Sequence, residues 1–277
     1  PREPGLRAAL VAPGPVQWLG AGLDDAAIAR VQRADTLFIA SASAPRPGAG
    51  HSEGVDVSHV YRLPGARSKT AAILVDRRGE RLICSAPAQG YPPDTSWLPL
   101  GEVSAADAVH ADSRWKPGAM ALFDAAADAG IPSVFDADSG QRDEILDIAH
   151  RATHPVYSEP MTKALNLGDP EEAMRRAFGG RNVIAGVTLG ERGTLWFDGQ
   201  TVHCTPTRAV KAIDTLGAGD TWHGALAFAL GEGQALPNAI SFATDVAALK
   251  CTRFGGRNGI PTRDEVNAFR QTFAAGD

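Results

Sequence analysis

The chain has 277 residues, 44% of them hydrophobic and 21% charged, with a formal net charge of −5. That is an ordinary globular composition, and with no block of Lys or Arg it argues against nucleic acid or an anionic membrane as a partner. Three scattered cysteines, Cys84, Cys204 and Cys251, show no C-x-x-C spacing and argue against a disulfide framework or a zinc site. No signal peptide, lipidation motif or long apolar run is readable, so the expectation is a cytoplasmic protein with no membrane contact.

Residues 1–53 are rich in Ala, Pro, Gly and Arg, as in APGPVQWLGAG and SASAPRPGAG. A short helix over 25–31 and a strand over 36–40 are the only elements they suggest. From residue 54 the pattern becomes regular. TAAILVDRRGERLICSAP (70–87) alternates on both sides of a polar turn and predicts a β-hairpin. Strand and helix signals then alternate: a strand at 107–112, a helix at 118–130, a strand at 131–138, a helix at 142–152 and a strand at 155–160. GDPEEAMRRAFGG (168–180) carries an Asp cap, Pro at the first helical position and two early acids, a strong helix signature. A strand at 182–188, a hairpin at 193–204 and helices at 219–231 and 236–251 follow. Strands alternating with helices predict βαβ units, hence an α/β fold with a mostly parallel sheet covered on both faces.

The stretch IDTLGAGDTWHGALAFAL (213–230) concentrates the chemistry. Gly217 and Gly219 allow a tight turn, and the helix that follows leaves its first N–H groups without internal partners. Those amides and the helix dipole form a place for an anion such as phosphate. Asp220 stands at the same end, where a carboxylate can take a proton from a hydroxyl while the amides stabilise a transferring phosphoryl group. The pattern alone suits a helix cap as well as it suits a base.

DTLGAGDTWHGAL resembles the C-terminal signature of the ribokinase-like (PfkB) carbohydrate kinases, D-T-x-G-A-G-D-x-F, with Trp222 in the aromatic position. The resemblance runs in order through GVDVSHV (54–60), TAAILVDRRGER (70–81) and VTLGERGTLWFDG (187–199). It implies a ribokinase-like fold with a small β lid, incomplete or divergent here. It also implies an ATP-dependent sugar kinase using Mg2+. Asp220 would be the base and Gly217, Ala218 and Gly219 the anion hole. Thr188, Gly190, Gly193, Asp214 and Thr215 would serve the nucleotide.

Three segments, ADSRWKPGA (111–119), YSEP (157–160) and ALKCTRFGGRNGIP (248–261), are similar to one subgroup, the bacterial sulfofructose kinases. The resemblance implies that Gly255 and Gly256 let backbone approach nucleotide, with Arg253 or Arg257 facing either phosphate or solvent. It implies Arg114 as the contact to a substrate sulfonate, against a surface arginine stacked on Trp115. A guanidinium suits any tetrahedral anion, and Ser85 stands where the subgroup has an Asn. A sugar phosphate, another ketose or a nucleoside remains open as acceptor. The family's N-x-x-E metal motif is replaced by SEPM (158–161). Asp136, ending a strand at the same edge, is the candidate to hold magnesium through water, and Glu159 is read as structural. His223 is read as packing or a satisfied contact.

The usual N-terminal sugar-binding strand and G-G-x-x-x-N segment are not readable in 1–53. That segment is expected to be divergent, or to derive from a shifted reading frame or a truncated gene. The domain expectation is an atypical segment over 1–53 and a kinase core over 54–277, with a partial lid around 60–87. A homodimer through the lid is the expected assembly. A nucleotide-binding chain without catalysis is the rival reading.

Overall fold

The computed structural model describes residues 94–178, 185–255 and 258–274, together with the backbone of 9–10, 70–75 and 81–86. The expected hairpin is present as β2 (Thr70–Val75) and β3 (Arg81–Ala86), paired antiparallel from Thr70 opposite Ala86 to Val75 opposite Arg81. A two-residue strand, β1 (Ala9–Leu10), adds to the other side of β2. The helix at 25–31, the strand at 36–40 and Gly256 fall outside the described residues.

The main sheet has six strands in the order β4-β5-β6-β7-β8-β9. These are β4 (Val109–Asp112), β5 (Ser133–Ala137), β6 (His154–Ser158), β7 (Ala185–Thr188), β8 (Thr194–Phe197) and β9 (Val202–Thr205). The first four run parallel, and the last two form an antiparallel hairpin at one edge. Parallel neighbours need crossover helices. Those are α1 (Lys116–Ala129), α2 (Arg142–Ala149), and α3 (Glu159–Ala164) with α4 (Pro170–Phe178). Three helices close the chain: α5 (Ala218–Gly231), α6 (Leu236–Cys251) and α7 (Arg263–Ala274).

Strand side chains alternate between two cores. Val109, Ala111, Phe135, Ala137, Tyr157 and Val187 pack with Leu122, Phe123, Ile145, Ile148 and Met174 of α1, α2 and α4. Val134, Val156 and Trp196 point the other way, to Trp222, Leu226, Ile240, Phe242 and Val266 of α5, α6 and α7. The mostly parallel sheet covered on both faces is therefore as expected. The alternation also fixes where polar strand residues go. His110, Asp112 and Asp136 have the parity of Val134, so they face the side of α5.

One boundary and one added helix show the local chemistry where the structure departs from the sequence expectation. The strand expected at 155–160 stops at Ser158, because the Ser158 hydroxyl accepts the amide of Met161 and starts α3, with Pro160 in its first turn. Helix α7 was not anticipated. It opens with a reciprocal cap: Thr262 Oγ1 accepts the amide of Glu265, and Glu265 Oε2 accepts the amide of Thr262. The signature cap at 168–180 is present, since Asp169 Oδ1 accepts the amide of Glu172 at 2.8 Å.

Candidate active site

Parallel register lines up the carboxyl ends of the central strands. Asp112 lies opposite Asp136, and Ser158 opposite Thr188. In open α/β sheets this edge is where ligands bind. The start of α5 arrives at the same edge. Gly217 is its N-cap in the left-handed region, φ 74°, and no side chain caps the helix. A residue with a Cβ is strained there.

Asp220 is exposed in the first turn of α5. The amide of Ala218 is used by the carbonyl of Thr215 at 3.2 Å, and that of Thr221 by the carbonyl of Gly217 at 2.9 Å. Between them, the amides of Gly219 and Asp220 have no acceptor among the described residues. A Cβ built on Gly219 would meet nothing within 4 Å, so the turn is open on the side where a side chain would stand. The geometry thus puts a solvent-facing carboxylate, two unused N–H groups and a helix dipole at one point, which suits an anion and a proton acceptor together.

Asp214 shapes this turn. Its Oδ1 accepts the amide of Leu216 and its Oδ2 that of Gly255, both at 2.9 Å. Gly255 is buried with φ 94°, so the second glycine segment is tied directly to the first. Arg253, beside it, pairs with Glu265 at 3.0 Å.

Thr188 ends β7, its hydroxyl 3.4 Å from the carbonyl of Tyr157. Gly190 and Gly193 form the link to β8, with the amide of Gly193 bonded to the carbonyl of Gly190 at 3.1 Å. Gly193 has φ 91°, and a Cβ there would run into the carbonyl of Thr205. Its glycine is therefore required by the approach of β9, whatever it contributes to nucleotide. Glu159 pairs with Lys163 at 2.9 Å and with Arg192, so it fastens α3 to the same link.

Arg114 follows β4. Asp112 accepts its amide through Oδ1 at 2.8 Å and pairs with its guanidinium through Oδ2. Partial burial works against the charge, but Asp112 first, then Asp220 and Asp136, more than restore it and raise the pKa of Arg114. Arg114 therefore lies within the field of Asp220. The neighbouring Trp115 ring stacks on Trp97 at 5.5 Å.

Behind Asp220 lies a polar cluster that joins Asp136, the sequence candidate for magnesium, to His223, expected as packing or a satisfied contact. His223 Nδ1 donates to the carbonyl of Gly219 at 2.8 Å and stands 3.6 Å from Asp136 Oδ2. The His110 ring lies parallel to it at 6.0 Å. Burial pushes the Asp136 carboxyl up to about 6, against the pull of His223. Its Oδ1 is enclosed with no hydrogen-bond partner. No group of three or more His, Cys, Asp or Glu among the described residues is arranged to hold a metal ion.

The sequence matches the family described as pfkB family carbohydrate kinase over residues 50–263. The chain belongs to that family. Among curated relatives, the ribokinase of Lactococcus lactis is 40% identical over 82 residues, a stretch covering 30% of this chain and 27% of that protein. The chain thus aligns with well under half of that relative's length. A provisionally assigned ribokinase from Agrobacterium tumefaciens shares the structure more broadly, with 31% identity, a TM-score of 0.76, and coverage of 94% of this chain and 89% of that one. The Arabidopsis thaliana ribokinase complexed with ribose and ATP, at 19% identity and TM-score 0.74, covers 96% of both chains and speaks to the fold alone. The pfkB kinase fold is accordingly ribokinase-like, with α5 carrying the family's Gly-Ala-Gly-Asp turn.

Proposed function

We propose that this pfkB kinase transfers a phosphoryl group from ATP to a primary hydroxyl of an anionic sugar, a ketose such as 6-deoxy-6-sulfofructose. The observation that carries the reading is the position of Asp220, exposed at the open end of α5 beside two unused amides and within the field of Arg114. ATP supplies the phosphoryl group, and bound Mg2+ would supply positive charge to its phosphates. Asp220 accepts the proton of the attacking hydroxyl. The unused amides of Gly219 and Asp220 face the oxygens that gain charge, while that of Ala218 stays on the carbonyl of Thr215, and Asp214 holds the turn through Leu216 and Gly255. Arg114, kept in one orientation by Asp112, receives the distal anion of the sugar. Thr188, Gly190, Gly193, Thr215, Gly255 and Gly256 border the nucleotide. With no metal cluster among the described residues, magnesium would be held by the phosphates of ATP, and the enclosed carboxyl of Asp136 would reach it only through water admitted with the ligand. The sheet containing β2 and β3 serves as a partial lid through which two copies pair.

Coupled ADP release with Mg-ATP tests this reading against 6-deoxy-6-sulfofructose, fructose 6-phosphate, fructose, ribose and adenosine. Turnover confined to an anionic ketose is the expected result. Asp220→Asn should lower kcat by roughly 10²- to 10⁴-fold while ATP affinity changes little. Undiminished turnover by that variant would remove the base assignment. ATP binding with no acceptor phosphorylated would identify a nucleotide-binding chain without catalysis. Turnover of adenosine alone would make it a nucleoside kinase, in which Arg114 meets no anion.

A further inference from the structure

Lys250, in the last turn of α6, has no exposed surface. Lysine is almost never fully buried unless its charge is compensated. Here the ammonium donates to the backbone carbonyl of Asp214 at 2.9 Å. Cationic groups are also favoured beside the carbonyls that end a helix.

The bonded residue is the one on which the phosphate turn depends. Residues 213–217 precede α5 and belong to no strand or helix. The amides of Ile213 and Asp214 both donate to the carbonyl of Cys251, at 2.7 and 3.1 Å. The Asp214 carboxylate holds Leu216 and Gly255. Its carbonyl takes Lys250. Asp214 is thus fixed by amide, carboxylate and carbonyl, and the last of these is the fastening made by a charge from inside α6. A buried apolar side chain in place of Lys250 would leave that carbonyl without the partner it has here.

We propose that Lys250 is a positioning residue of the phosphate turn: its buried ammonium holds the carbonyl of Asp214 and so sets the register in which Gly217, Gly219 and Asp220 face a phosphoryl group. The proposal rests on the kinase reading given above. Lys250 touches neither nucleotide nor sugar. It makes α6, which packs along α5, the reference against which the turn is placed.

Two full-length variants separate positioning from packing. Lys250→Gln can still donate N–H to the carbonyl but carries no charge. Lys250→Met keeps apolar length and donates nothing. The readouts are Mg-ATP affinity by calorimetry, kcat and KM with the best acceptor, melting temperature, and amide hydrogen exchange at Leu216 and Gly255. Lys250→Met should lose roughly 10- to 100-fold in kcat/KM for ATP, the scale expected from a small misplacement of reacting groups. Its KM for the sugar should stay near that of wild type, and exchange at Leu216 and Gly255 should quicken. Lys250→Gln should recover part of the lost turnover although Met is the better buried residue.

Wild-type ATP affinity and exchange in Lys250→Met would overturn the proposal. So would losses in both variants that simply track their melting temperatures. If the wild-type chain binds ATP but phosphorylates no acceptor, the kinase reading fails, while ATP affinity and exchange still decide the role of Lys250. If neither variant folds, exchange in the wild-type chain decides. Protection of the Leu216 and Gly255 amides equal to that of the α6 interior supports the proposal, and their exchange by local opening overturns it.

Discussion

At the scale of single residues, the Asp112–Arg114 pair is where the proposed acceptor selectivity can be tested. The guanidinium is half-exposed and one edge of it is taken by Asp112. Asp220 and Asp136 add further negative charge nearby. One shared cation among several carboxylates accommodates a single negative charge more easily than two. Arg114→Met should therefore raise KM for an anionic ketose by roughly 10- to 100-fold, with turnover of neutral fructose, if any, unchanged. Steady-state kinetics on paired charged and neutral acceptors would show it, and an equal loss on both would place Arg114 outside the acceptor site. Asp112→Asn should act in the same direction but less strongly, because the amide of Arg114 keeps an oxygen acceptor while its side chain loses an ionic partner. The sequence showed Arg114 as a candidate but gave no sign of Asp112 as its holder, since that role depends on a two-residue loop closing back on the strand end.

At the scale of elements, one glycine of the expected anion hole and one of the expected nucleotide segment make opposite predictions. Gly219 is the second residue of α5, and a Cβ there meets nothing within 4 Å. Alanine is a better helix former by about 1 kcal/mol, so Gly219→Ala should fold with equal or slightly greater stability, and if the turn binds phosphate the added methyl group beside it should lower turnover. Gly193 has φ 91° and lies against the carbonyl of Thr205. Gly193→Ala should instead destabilise the chain by at least 1–3 kcal/mol from backbone strain alone, read as a lower urea midpoint. The contrast explains which features were legible. Gly-Ala-Gly-Asp before an apolar run states turn, helix start and acid in one line. The spacing of Gly190 and Gly193 is equally visible, but the need for Gly193 comes from β9, twelve residues onward. Helix α7 had a readable Thr-x-x-Glu cap, and its pattern was passed over because polar residues dominate the helix. Lys250 lay unremarked inside a quoted segment, since nothing local shows that a lysine in an otherwise apolar helix end points inward to a carbonyl 36 residues earlier.

At the scale of the whole molecule, buried titratable groups tie stability to pH. Burial pushes His110 down to about 3 and His154 down to about 4, from the ordinary 6.5. For both, the unfolded chain binds a proton that the folded chain refuses as pH falls below 6.5, so each contributes stability present at neutral pH and lost on acidification. Asp136 acts in the opposite sense. Its carboxyl, pushed up to about 6 by burial, holds a proton in the folded chain between 3.8 and 6, which favours folding at the acidic side of that range and withdraws that contribution as pH rises through 6. Carboxyls held low by their partners, among them Asp198, Glu159 and Glu265, add to the acid loss towards pH 4; the two histidines against Asp136 by themselves leave an excess of about one proton on the unfolded chain between pH 6 and pH 4. Linkage then gives a loss of about 1.4 kcal/mol per pH unit across that interval. Urea unfolding at half-unit steps should show at least that slope, and His154→Gln should reduce it by about one proton's worth without abolishing it. A wild-type chain whose stability stays level or rises from pH 6 to pH 4 would mean that these imidazoles reach solvent or a proton acceptor, and that the cluster behind Asp220 is not closed. Because His110 and Asp136 both face α5, the same closure that makes the fold acid-sensitive keeps water from the back of the turn, leaving the exposed face of Asp220 as its route to a proton.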